Sequence, residues 1–474
     1  MGSTAERFLK SARSENSRFQ STTQAVAWLQ STGAERQLQV RQVPLGELGE
    51  WSFDDESGDL VHKSGKFFRV RGIRTQTDAG NVREWDQPII DQPEIGILGI
   101  ITREIEGQLY LLMQAKMEPG NPLGVQLTPT VQATRSNYTQ VHQGARPPYI
   151  EYFTEPWQGP GRARVLIDQL QFEQGSAFLR KRNRNIVVEV TGDVPVLDGF
   201  RWLTLGQVKK LLAVPNLISM DTRTVISCMP LSDGRQAEGR RQRGEIADLS
   251  EFSSRVLASF AAPRGVSTDD EVLSWITDLK CSHQLTVTDV GLRSLRGWRT
   301  GDLEIAHEDG RYLRILGVEV ESDSREVIRW SQPLVGAVER GLIAFVVAEI
   351  DGALHFLAQA HIEPGNADTV MVGPTVQCAL GHELRSDRPH ASPFLDLIEY
   401  PASGTVQFSC VQSEEGGRFH RVENEYRVVQ IDAANQLGVP ANFTWMTGRQ
   451  LQELLRFGLV NVEARSLLSC LSFT

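Results

Sequence analysis

The sequence predicts an α+β fold built from two tandem copies of one module. Residues 114–134 read QAKMEPGNPLGVQLTPTVQAT and residues 359–379 read QAHIEPGNADTVMVGPTVQCA, with 11 of 21 positions identical and no gap. Segments that alternate apolar and polar residues predict strands, and leucines spaced three and four apart near the end of each copy predict helices. Each module is therefore expected to form a mixed or antiparallel β-sheet flanked by helices.

The repeat extends over almost the whole chain and sets the predicted domain boundaries. At nearly the same offset Trp85 pairs with Trp330, and Cys228 pairs with Cys470. We predict a first repeat at residues 1–230, a linker at residues 231–249 and a second repeat at residues 250–474. The linker is predicted because SDGRQAEGRRQRGEIADLS is polar and rich in Arg and Gly, without apolar periodicity.

Local signals place several elements inside each repeat. Apolar runs on both sides of Glu106-Gly107 predict a hairpin, and Asp351-Gly352 marks its counterpart in the second repeat. Thr204 is expected to cap a helix over LTLGQVKKLLAV. The other strand-like segments are KFFRVRGIRT, QLYLLMQAKM, RVLIDQLQF and NIVVEV in the first repeat, and RYLRILGVEV, LHFLAQAHI and EYRVVQI in the second.

Composition restricts the possible partners of the protein. The 474 residues carry a formal net charge of -10, which argues against nucleic acid or an anionic membrane as the main partner. The five cysteines are scattered without a CxxC pair, so reduced thiols are expected rather than disulfides or zinc. The N-terminus has no apolar signal region, and no run approaches the length of a membrane span. A soluble, cytoplasmic protein is expected.

The EPGN segment of each repeat lies between two strand-like runs. Pro-Gly is a turn former, and a glycine with positive φ explains the dipeptide without any functional role. A turn does not require a carboxylate, however, so Glu118 and Glu363 are left as candidate functional groups.

The run after EPGN in the first repeat, QLTPTVQATRSNY, is dense in uncharged polar side chains. Such groups suit a hydroxyl-rich or amide-rich ligand, because they bind with defined geometry at a small desolvation cost. Thr130 and Gln132 are the leading ligand contacts in this run. The alternative is that Thr is present because strands favour it.

The two repeats differ around this shared segment. Lys116 is replaced by His361 and Arg135 by Leu380, so the first repeat keeps more cationic groups. If only one pocket is catalytic, we expect it to be the first.

The segment QAKMEPGN…QLTPTVQATRSNY…HQGARPPYIEYF resembles the NDP-hexose 2,3-dehydratase family of deoxysugar biosynthesis, over essentially the whole chain. The resemblance implies two Nudix-like modules and a homodimeric lyase of antibiotic-producing bacteria. Its implied substrate is dTDP-4-keto-6-deoxy-D-glucose, which loses the C2 hydroxyl by β-elimination. The implied product is a 3,4-diketo-2,6-dideoxy sugar nucleotide that a downstream NADPH-dependent 3-ketoreductase consumes.

This chemistry requires a base for the C3 hydrogen, an acid for the C2 hydroxyl and a donor for the C4 enolate oxygen. No cofactor is expected, because elimination followed by tautomerisation is redox-neutral. Glu118 or Tyr138 is the candidate base, and Lys116 the candidate donor to the enolate or the diphosphate. Arg135 suits the diphosphate. The predicted substrate contacts are Trp85, Gln114, Asn121, Gln126, Thr130, Gln132, Thr134, Arg135, Asn137, Tyr149, Glu151 and Tyr152. The predicted second pocket consists of Gln359, His361, Glu363, Asn366, Thr375 and Gln377.

Two other functions stay open at this point. A Nudix-type nucleotide-sugar hydrolase is disfavoured, because neither repeat contains the metal-binding pattern GX5EX7REUXEEXGU and no metal site is predicted. A non-catalytic sugar-nucleotide sensor would bind the ligand without turnover.

Overall fold

The protein is described here by a computed structural model. It describes residues 2–80, 82–139, 146–156, 163–232, 250–323, 327–379, 393–400, 404–432 and 437–472. From residue 233 onward the predicted linker lies outside the described residues. No described helix is long and apolar enough to cross a membrane.

The first repeat consists of twelve described strands and six described helices. Its strands are β1 Leu38–Val43, β2 Trp51–Phe53, β3 Leu60–His62, β4 Arg69–Thr77, β5 Glu84–Asp91, β6 Gly96–Ile105, β7 Gln108–Met117, β8 Val125–Thr128, β9 Val131–Ala133, β10 Ala163–Phe172, β11 Arg182–Val190 and β12 Phe200–Leu203. Its helices are α1 Thr4–Ala12, α2 Thr22–Glu35, α3 Arg135–Tyr138, α4 Glu151–Thr154, α5 Leu205–Leu211 and α6 Met220–Ser227.

The second repeat follows the same order over its described residues. Its strands are β13 Leu285–Asp289, β14 Trp298–Thr300, β15 Glu304–His307, β16 Leu313–Ser322, β17 Arg329–Ala337, β18 Gly341–Ile350, β19 Ala353–His361, β20 Met371–Gly373, β21 Val376–Ala379, β22 Gly404–Ser413, β23 Glu423–Ile431 and β24 Phe443–Thr447. Its helices are α7 Glu251–Phe260, α8 Asp269–Ser282, α9 Leu395–Glu399, α10 Gly448–Arg456 and α11 Val462–Ser469. The α+β class and the two similar halves are therefore confirmed.

Each repeat contains a seven-stranded mixed sheet. In the first repeat the order is β10-β11-β6-β7-β12, with β8 paired to β7 and β9 paired to β6. The second repeat has the order β22-β23-β18-β19-β24, with β20 paired to β19 and β21 paired to β18. The neighbours β11 and β6 are parallel, as are β23 and β18, whereas the other pairs are antiparallel. The two large sheets thus share one topology.

The two smaller sheets exchange a strand between the repeats. Strand β1 of the first repeat pairs antiparallel with β16 of the second, from Leu38 opposite Ser322 to Val43 opposite Gly317. Reciprocally, β13 of the second repeat pairs with β4 of the first. Each five-stranded sheet therefore contains main chain from both repeats.

Short-range sequence signals are realised where they were predicted. The β6–β7 hairpin turns at Glu106 and Gly107, and both residues have the positive φ that a tight two-residue hairpin requires. Asp351 and Gly352 have the same conformation between β18 and β19. The Thr204 side chain accepts a hydrogen bond from the Gln207 amide at the start of α5, which confirms the predicted cap.

One apolar core joins the two large sheets. It includes Ile100 and Met113 from the first repeat and Phe345 and Phe356 from the second. All eight residues of α6 are buried, and so are all eight of α11. Because these two helices are buried on all faces, their charged side chains lie inside the protein and are shielded from water.

Candidate functional site

Each repeat carries its EPGN turn at the wall of a cavity. The first cavity has a volume of ≈470 Å³ and is lined by Lys116 and Glu118 at the end of β7. The second cavity is larger, at ≈1700 Å³, and is lined by His361 and Glu363 at the end of β19. The repeat therefore produces two cavities at equivalent positions.

Both cavities are built from both repeats. The first cavity receives Trp330, Glu415 and Arg418 from the second repeat. The second cavity receives Trp85 and Gln174 from the first repeat. A single repeat therefore supplies only part of either cavity wall.

Reciprocal main-chain contacts hold each EPGN turn against the other repeat. The Gly120 amide donates to the Gly416 carbonyl oxygen at 2.7 Å, and the Gly365 amide donates to the Gly175 carbonyl oxygen at 2.7 Å. These matched bonds show that the segment after Glu173 and the segment after Glu414 are structurally equivalent.

The turn glycines are required for a reason other than the predicted one. Neither Gly120 nor Gly365 is among the described glycines with positive φ, so the expectation of a positive-φ turn glycine is wrong. A Cβ on Gly120 would overlap the carbonyl oxygen of Phe419, and one on Gly365 would overlap that of Phe178. Glycine allows the backbones of the two repeats to approach here.

A row of four side chains crosses the first cavity. The Lys116 ammonium lies 2.8 Å from Glu118 Oε1 and 3.4 Å from Gln132 Oε1. The Gln132 amide nitrogen donates to Glu415 Oε1 at 3.3 Å. The cation and the amide thus connect a carboxylate of the first repeat with a carboxyl group of the second.

Two further acids of the first repeat line the same cavity, and both are buried. Burial raises the pKa of Glu173, although Arg465 and Lys181 oppose the shift. Burial also raises the pKa of Asp221, on the buried helix α6, well above its ordinary value. Both carboxyl groups therefore favour their protonated form more than an exposed acid does.

Two further cations of the first cavity, Lys181 and Arg418, are shifted in pKa by burial. Lys181 donates to the Glu94 carbonyl oxygen, and burial lowers its pKa to about 8. Arg418 donates from Nε to Gln92 Oε1 at 3.1 Å, and its guanidinium lies 4.2 Å from the centroid of the Phe68 ring. Burial lowers the pKa of Arg418.

The second cavity keeps three acids of the first cavity, but it has no cation at the positions of Lys116, Lys181 and Arg418. Glu363, Glu414 and Glu463 occupy the positions of Glu118, Glu173 and Asp221, and all of them line the wall. The positions equivalent to Lys116, Lys181 and Arg418 hold His361, Val422 and Ala177. Gln174 stands where the first cavity has Glu415.

In the second cavity, burial is the main cause of the pKa shifts of Glu363, His361 and Glu463. It raises the pKa of Glu363 to about 7, and the Gln377 amide nitrogen donates to Glu363 Oε1 at 3.0 Å. Burial lowers the pKa of His361 to about 4, so its ring is neutral at pH 7. The pKa of Glu463 is raised well above its ordinary value, again mainly by burial.

The structure brings five of the predicted first-repeat residues together. These are Lys116, Glu118, Gln132, Thr134 and Asn137, which all line the first cavity. Four predicted residues of the second pocket, Gln359, His361, Glu363 and Gln377, line the second cavity.

Trp85 is placed differently from the prediction. It was grouped with the first pocket, but its ring lines the second cavity, and the repeat-equivalent Trp330 lines the first. The strand exchange explains this crossing, because the β4–β5 and β16–β17 hairpins each belong to a sheet that spans both repeats.

Several predicted contacts have a main-chain role instead. The Thr130 hydroxyl donates to the Leu112 carbonyl oxygen and accepts from the Ile101 amide at 2.9 Å. Thr375 makes the equivalent pair of bonds in the second repeat. Gln126 donates to the Asn216 carbonyl oxygen at 2.8 Å. These polar side chains are buried because they connect strands, and none of the three is part of the described cavity walls.

The remaining predicted residues also lie outside the described cavity walls. Asn121 donates to Gly124 within its own turn, and the Tyr149 hydroxyl donates to the Pro195 carbonyl oxygen at 2.7 Å. The others are Gln114 on β7, Arg135 and Tyr138 on α3, Glu151 and Tyr152 on α4, and Asn366 in the second EPGN turn.

The charged cavity residues that the sequence analysis missed include Glu173, Lys181, Asp221, Glu415 and Arg418. The repeat contained a signal for two of them. An acid recurs before the Gly of QFEQG and QSEEGG, and another recurs inside the closing helices, where it is flanked by apolar residues. A recurring acid in a buried helix requires a polar environment. No comparable signal marked Lys181, Glu415 or Arg418.

Among the described residues, no group of three or more His, Cys, Asp or Glu side chains has the arrangement to hold a metal ion.

The chain matches the family model described as NDP-hexose 2,3-dehydratase over residues 22–229 and 269–471. Two similar proteins are each named dTDP-4-dehydro-6-deoxy-alpha-D-glucopyranose 2,3-dehydratase. The one from Saccharopolyspora spinosa is 44% identical over 98% of this chain and 94% of its own. The one from Amycolatopsis orientalis is 42% identical over 99% of this chain and 94% of its own.

A solved structure of the Ap4A hydrolase of C. elegans is 12% identical and covers 25% of this chain and 90% of its own. Its TM-score is 0.18, and at that value the likeness carries no argument about the fold.

Proposed function

Since the chain belongs to the NDP-hexose 2,3-dehydratase family, and is thus a sugar-nucleotide 2,3-dehydratase of the hydro-lyase class, we propose that the first cavity is where it dehydrates its substrate. The proposed substrate is dTDP-4-keto-6-deoxy-D-glucose, which is the compound in the names of the relatives. Loss of the C2 hydroxyl gives a 3,4-diketo-2,6-dideoxy sugar nucleotide.

The observation that carries this choice of cavity is a set of three cations that the second cavity lacks at the equivalent positions. Lys116, Lys181 and Arg418 line the first cavity, whereas the second has neutral side chains at the equivalent positions. A substrate with a diphosphate and an enolate intermediate needs positive partners in a desolvated site. Arg296 and Arg311 line the second cavity from other directions. Arg296 is bound to Glu84 and Asp86, and Arg311 is exposed to solvent.

Glu118 is the proposed base for the C3 hydrogen. It is 6% exposed, lines the cavity and lies 2.8 Å from the Lys116 ammonium. Lys116 is close enough to donate to the C4 oxygen as negative charge develops there, which is the moment when donation lowers the barrier. The other candidate base, Tyr138, lies outside the described cavity wall.

The substrate contacts proposed in this cavity are Gln132, Thr134 and Asn137. Arg135 follows Thr134 on α3 and is exposed, which suits a contact with the diphosphate at the cavity mouth. Trp330 takes the place first considered for Trp85, since it presents an aromatic ring in this cavity for stacking on thymine.

The domain organisation is also proposed from the family resemblance. We propose two Nudix-like modules at residues 1–230 and 250–474, each of which extends a strand into the other's sheet. A homodimer and a cytoplasmic location follow the family resemblance. So does a downstream NADPH-dependent 3-ketoreductase, because a 3,4-diketone requires reduction at C3 to become a stable dideoxy sugar.

The test is incubation with dTDP-4-keto-6-deoxyglucose, NADPH and a 3-ketoreductase, followed by identification of the sugar nucleotide. We expect a 2,6-dideoxy product, and we expect EDTA to leave its rate of formation unchanged. Absence of product with this and related nucleotide donors contradicts the proposal. Release of dTMP that depends on Mg²⁺ indicates a hydrolase, and binding without turnover indicates a sensor.

Proton exchange tests the base separately. In D2O, the wild-type protein is expected to introduce deuterium at C3 of the substrate, and Glu118→Gln is expected to lose this exchange. Retained exchange in Glu118→Gln would assign the base elsewhere.

A further inference from the structure

The first cavity contains an acid that its own repeat does not supply. We propose that Glu415, which belongs to the second repeat, is the general acid that protonates the C2 hydroxyl of a substrate bound in the first cavity. This inference rests on the proposed function, and it adds a second catalytic group to the base Glu118.

The position of Glu415 fits this role. It lines the cavity, and both the Gly417 amide, at 2.8 Å, and the Gln132 amide nitrogen, at 3.3 Å, donate to its Oε1. Neither bond uses Oε2, so this oxygen is the one to carry the proton. Two donors on one oxygen also fix the direction of the carboxyl group.

Glu415 and Glu118 stand at opposite ends of the row that crosses the cavity. Glu118 contacts Lys116, Lys116 lies 3.4 Å from Gln132, and Gln132 contacts Glu415. A substrate over the centre of this row has the base on one side and the acid on the other, with the ammonium between them. The arrangement matches an elimination in which a proton leaves C3 while the leaving group departs from C2.

Of the buried acids in the first cavity, Glu415 is distinguished by a difference between the two cavities. Glu173 and Asp221 have the counterparts Glu414 and Glu463 in the second cavity, so they belong to the frame that both cavities share. Glu415 has no such counterpart, because Gln174 stands at its position. An amide retains the hydrogen bonds of a carboxyl group but does not deliver a proton.

The environment also favours a proton on Glu415 at neutral pH. Burial raises its pKa to about 7; the charge of Arg418 opposes the shift, whereas that of Glu118 adds to it. An acid near the operating pH transfers a proton most efficiently. A base paired with Lys116 and an acid whose pKa burial raises to about 7 are complementary.

The step balances without a further reactant. Glu118 takes the C3 proton, the C3 electrons form the enolate and then the C2–C3 double bond, and the C2–O bond breaks. The leaving oxygen takes the proton of Glu415 and departs as water. In the tautomerisation that follows, C2 gains a proton from Glu118, the C3 hydroxyl proton returns to Glu415, and the 3,4-diketone is formed.

The test compares two leaving groups in Glu415→Gln. With the hydroxyl substrate, we expect kcat to fall about 10²–10⁴-fold, the usual contribution of a general acid. With the 2-deoxy-2-fluoro analogue of the same keto sugar nucleotide, fluoride leaves without protonation. We expect its release, followed by ¹⁹F NMR, to fall less than about tenfold, because only the acid has been lost.

The pH profile and a control variant complete the experiment. The wild-type kcat for the hydroxyl substrate is expected to decline above about pH 7, and Glu415→Gln is expected to lose this limb, while Glu415→Asp retains it at lower activity. Glu425→Gln is the control, since Glu425 pairs with Arg427 and lies outside both described cavity walls.

Equal losses for the two substrates, full activity of Glu415→Gln, or an unchanged pH limb would overturn the assignment of Glu415. If Glu415→Gln does not reach the wild-type melting temperature, Glu415→Asp and the wild-type profile decide. A wild-type protein that turns over neither substrate contradicts the proposed function itself, and this inference with it.

Discussion

Gly120 donates its amide hydrogen to the carbonyl oxygen of Gly416, and this 2.7 Å bond joins the EPGN turn of the first repeat to the second repeat. The bond places Glu118 and Glu415 in the same cavity although they belong to different repeats. A matched bond joins Gly365 to Gly175. The two turns therefore determine how the repeats fit together as well as where the acids stand.

Replacing the first turn glycine is expected to destabilise the protein. Gly120→Ala places a methyl group against the Phe419 carbonyl oxygen, a main-chain atom that has no rotamer with which to move away. We expect the free energy of unfolding in urea to fall by about 1–3 kcal/mol or more. Gly192→Ala, where no atom lies within 4 Å of the added Cβ, is the control and should be nearly neutral. Equal stabilities of the two variants would contradict this account.

The two tryptophans offer a matched comparison of the cavities. Trp330 lines the first cavity and Trp85 the second, and each donates from Nε1 to a glutamine two residues later, Gln332 at 3.0 Å and Gln87 at 2.8 Å. Their structural roles are therefore alike. We expect Trp330→Ala to raise KM for the sugar nucleotide about tenfold or more, as loss of one stacked base does, and Trp85→Ala to change it less. The reverse order would place the substrate in the second cavity.

Replacing Lys116 or the equivalent His361 tests which of the two cavities is catalytic, because the two side chains differ in charge. Lys116→Ala removes the cation beside Glu118 and the proposed donor to the C4 oxygen, so we expect kcat to fall about 10²-fold or more. The His361 ring is neutral at pH 7, so His361→Ala removes no charge there and should reduce turnover much less. Steady-state kinetics with the coupled reductase measures both. Loss of activity only in His361→Ala would reject the first cavity.

Stability should depend on pH through the second cavity. The pKa of Glu363 is raised by burial to about 7 from its ordinary value of 4.5. Between pH 4.5 and 7 the unfolded chain releases this proton first, so the Glu363 contribution to stability is lost as pH rises through that window. Glu363→Gln has no such loss. Its stability relative to wild type should improve on the order of 1 kcal/mol from pH 4.5 to pH 8 in urea unfolding. A difference that stays constant with pH would show that Glu363 does not titrate in this way.

Turns, helix caps and single strands were predictable from the sequence, because residues close together in the chain determine them. The turn at Glu106-Gly107 and the cap at Thr204 depend on residues within a few positions of each other, and both were found where the sequence placed them. Periodicity likewise located the long strands, such as β7 over QLYLLMQAKM. The sequence did not indicate which strands pair across the repeats, because a strand pattern such as LQVRQV of β1 does not specify its partner, which is β16 of the second repeat.

The candidate site was predictable only for the repeat that carries the motif. Lys116, Glu118 and Gln132 follow one another along the chain, so one segment revealed all three. Glu415 and Arg418 reach the same cavity from a distant segment, through the contact between Gly120 and Gly416. Trp85 was grouped with the first pocket but lines the second cavity, because its sheet spans both repeats through the strand exchange. Side chains that the other repeat contributes, by a loop contact or by strand exchange, leave no mark in the motif itself.

The strand exchange also has a consequence for how the chain folds during its synthesis on the ribosome. Strand β1 comprises residues 38–43, but its partner β16 comprises residues 313–322, so β1 has no partner until most of the protein has been synthesised. Contacts this distant in sequence slow folding, because a long loop must close before they form. During translation the first repeat therefore carries an unpaired strand edge, a feature prone to aggregation. Premature termination within the second repeat leaves both the sheet and the first cavity incomplete.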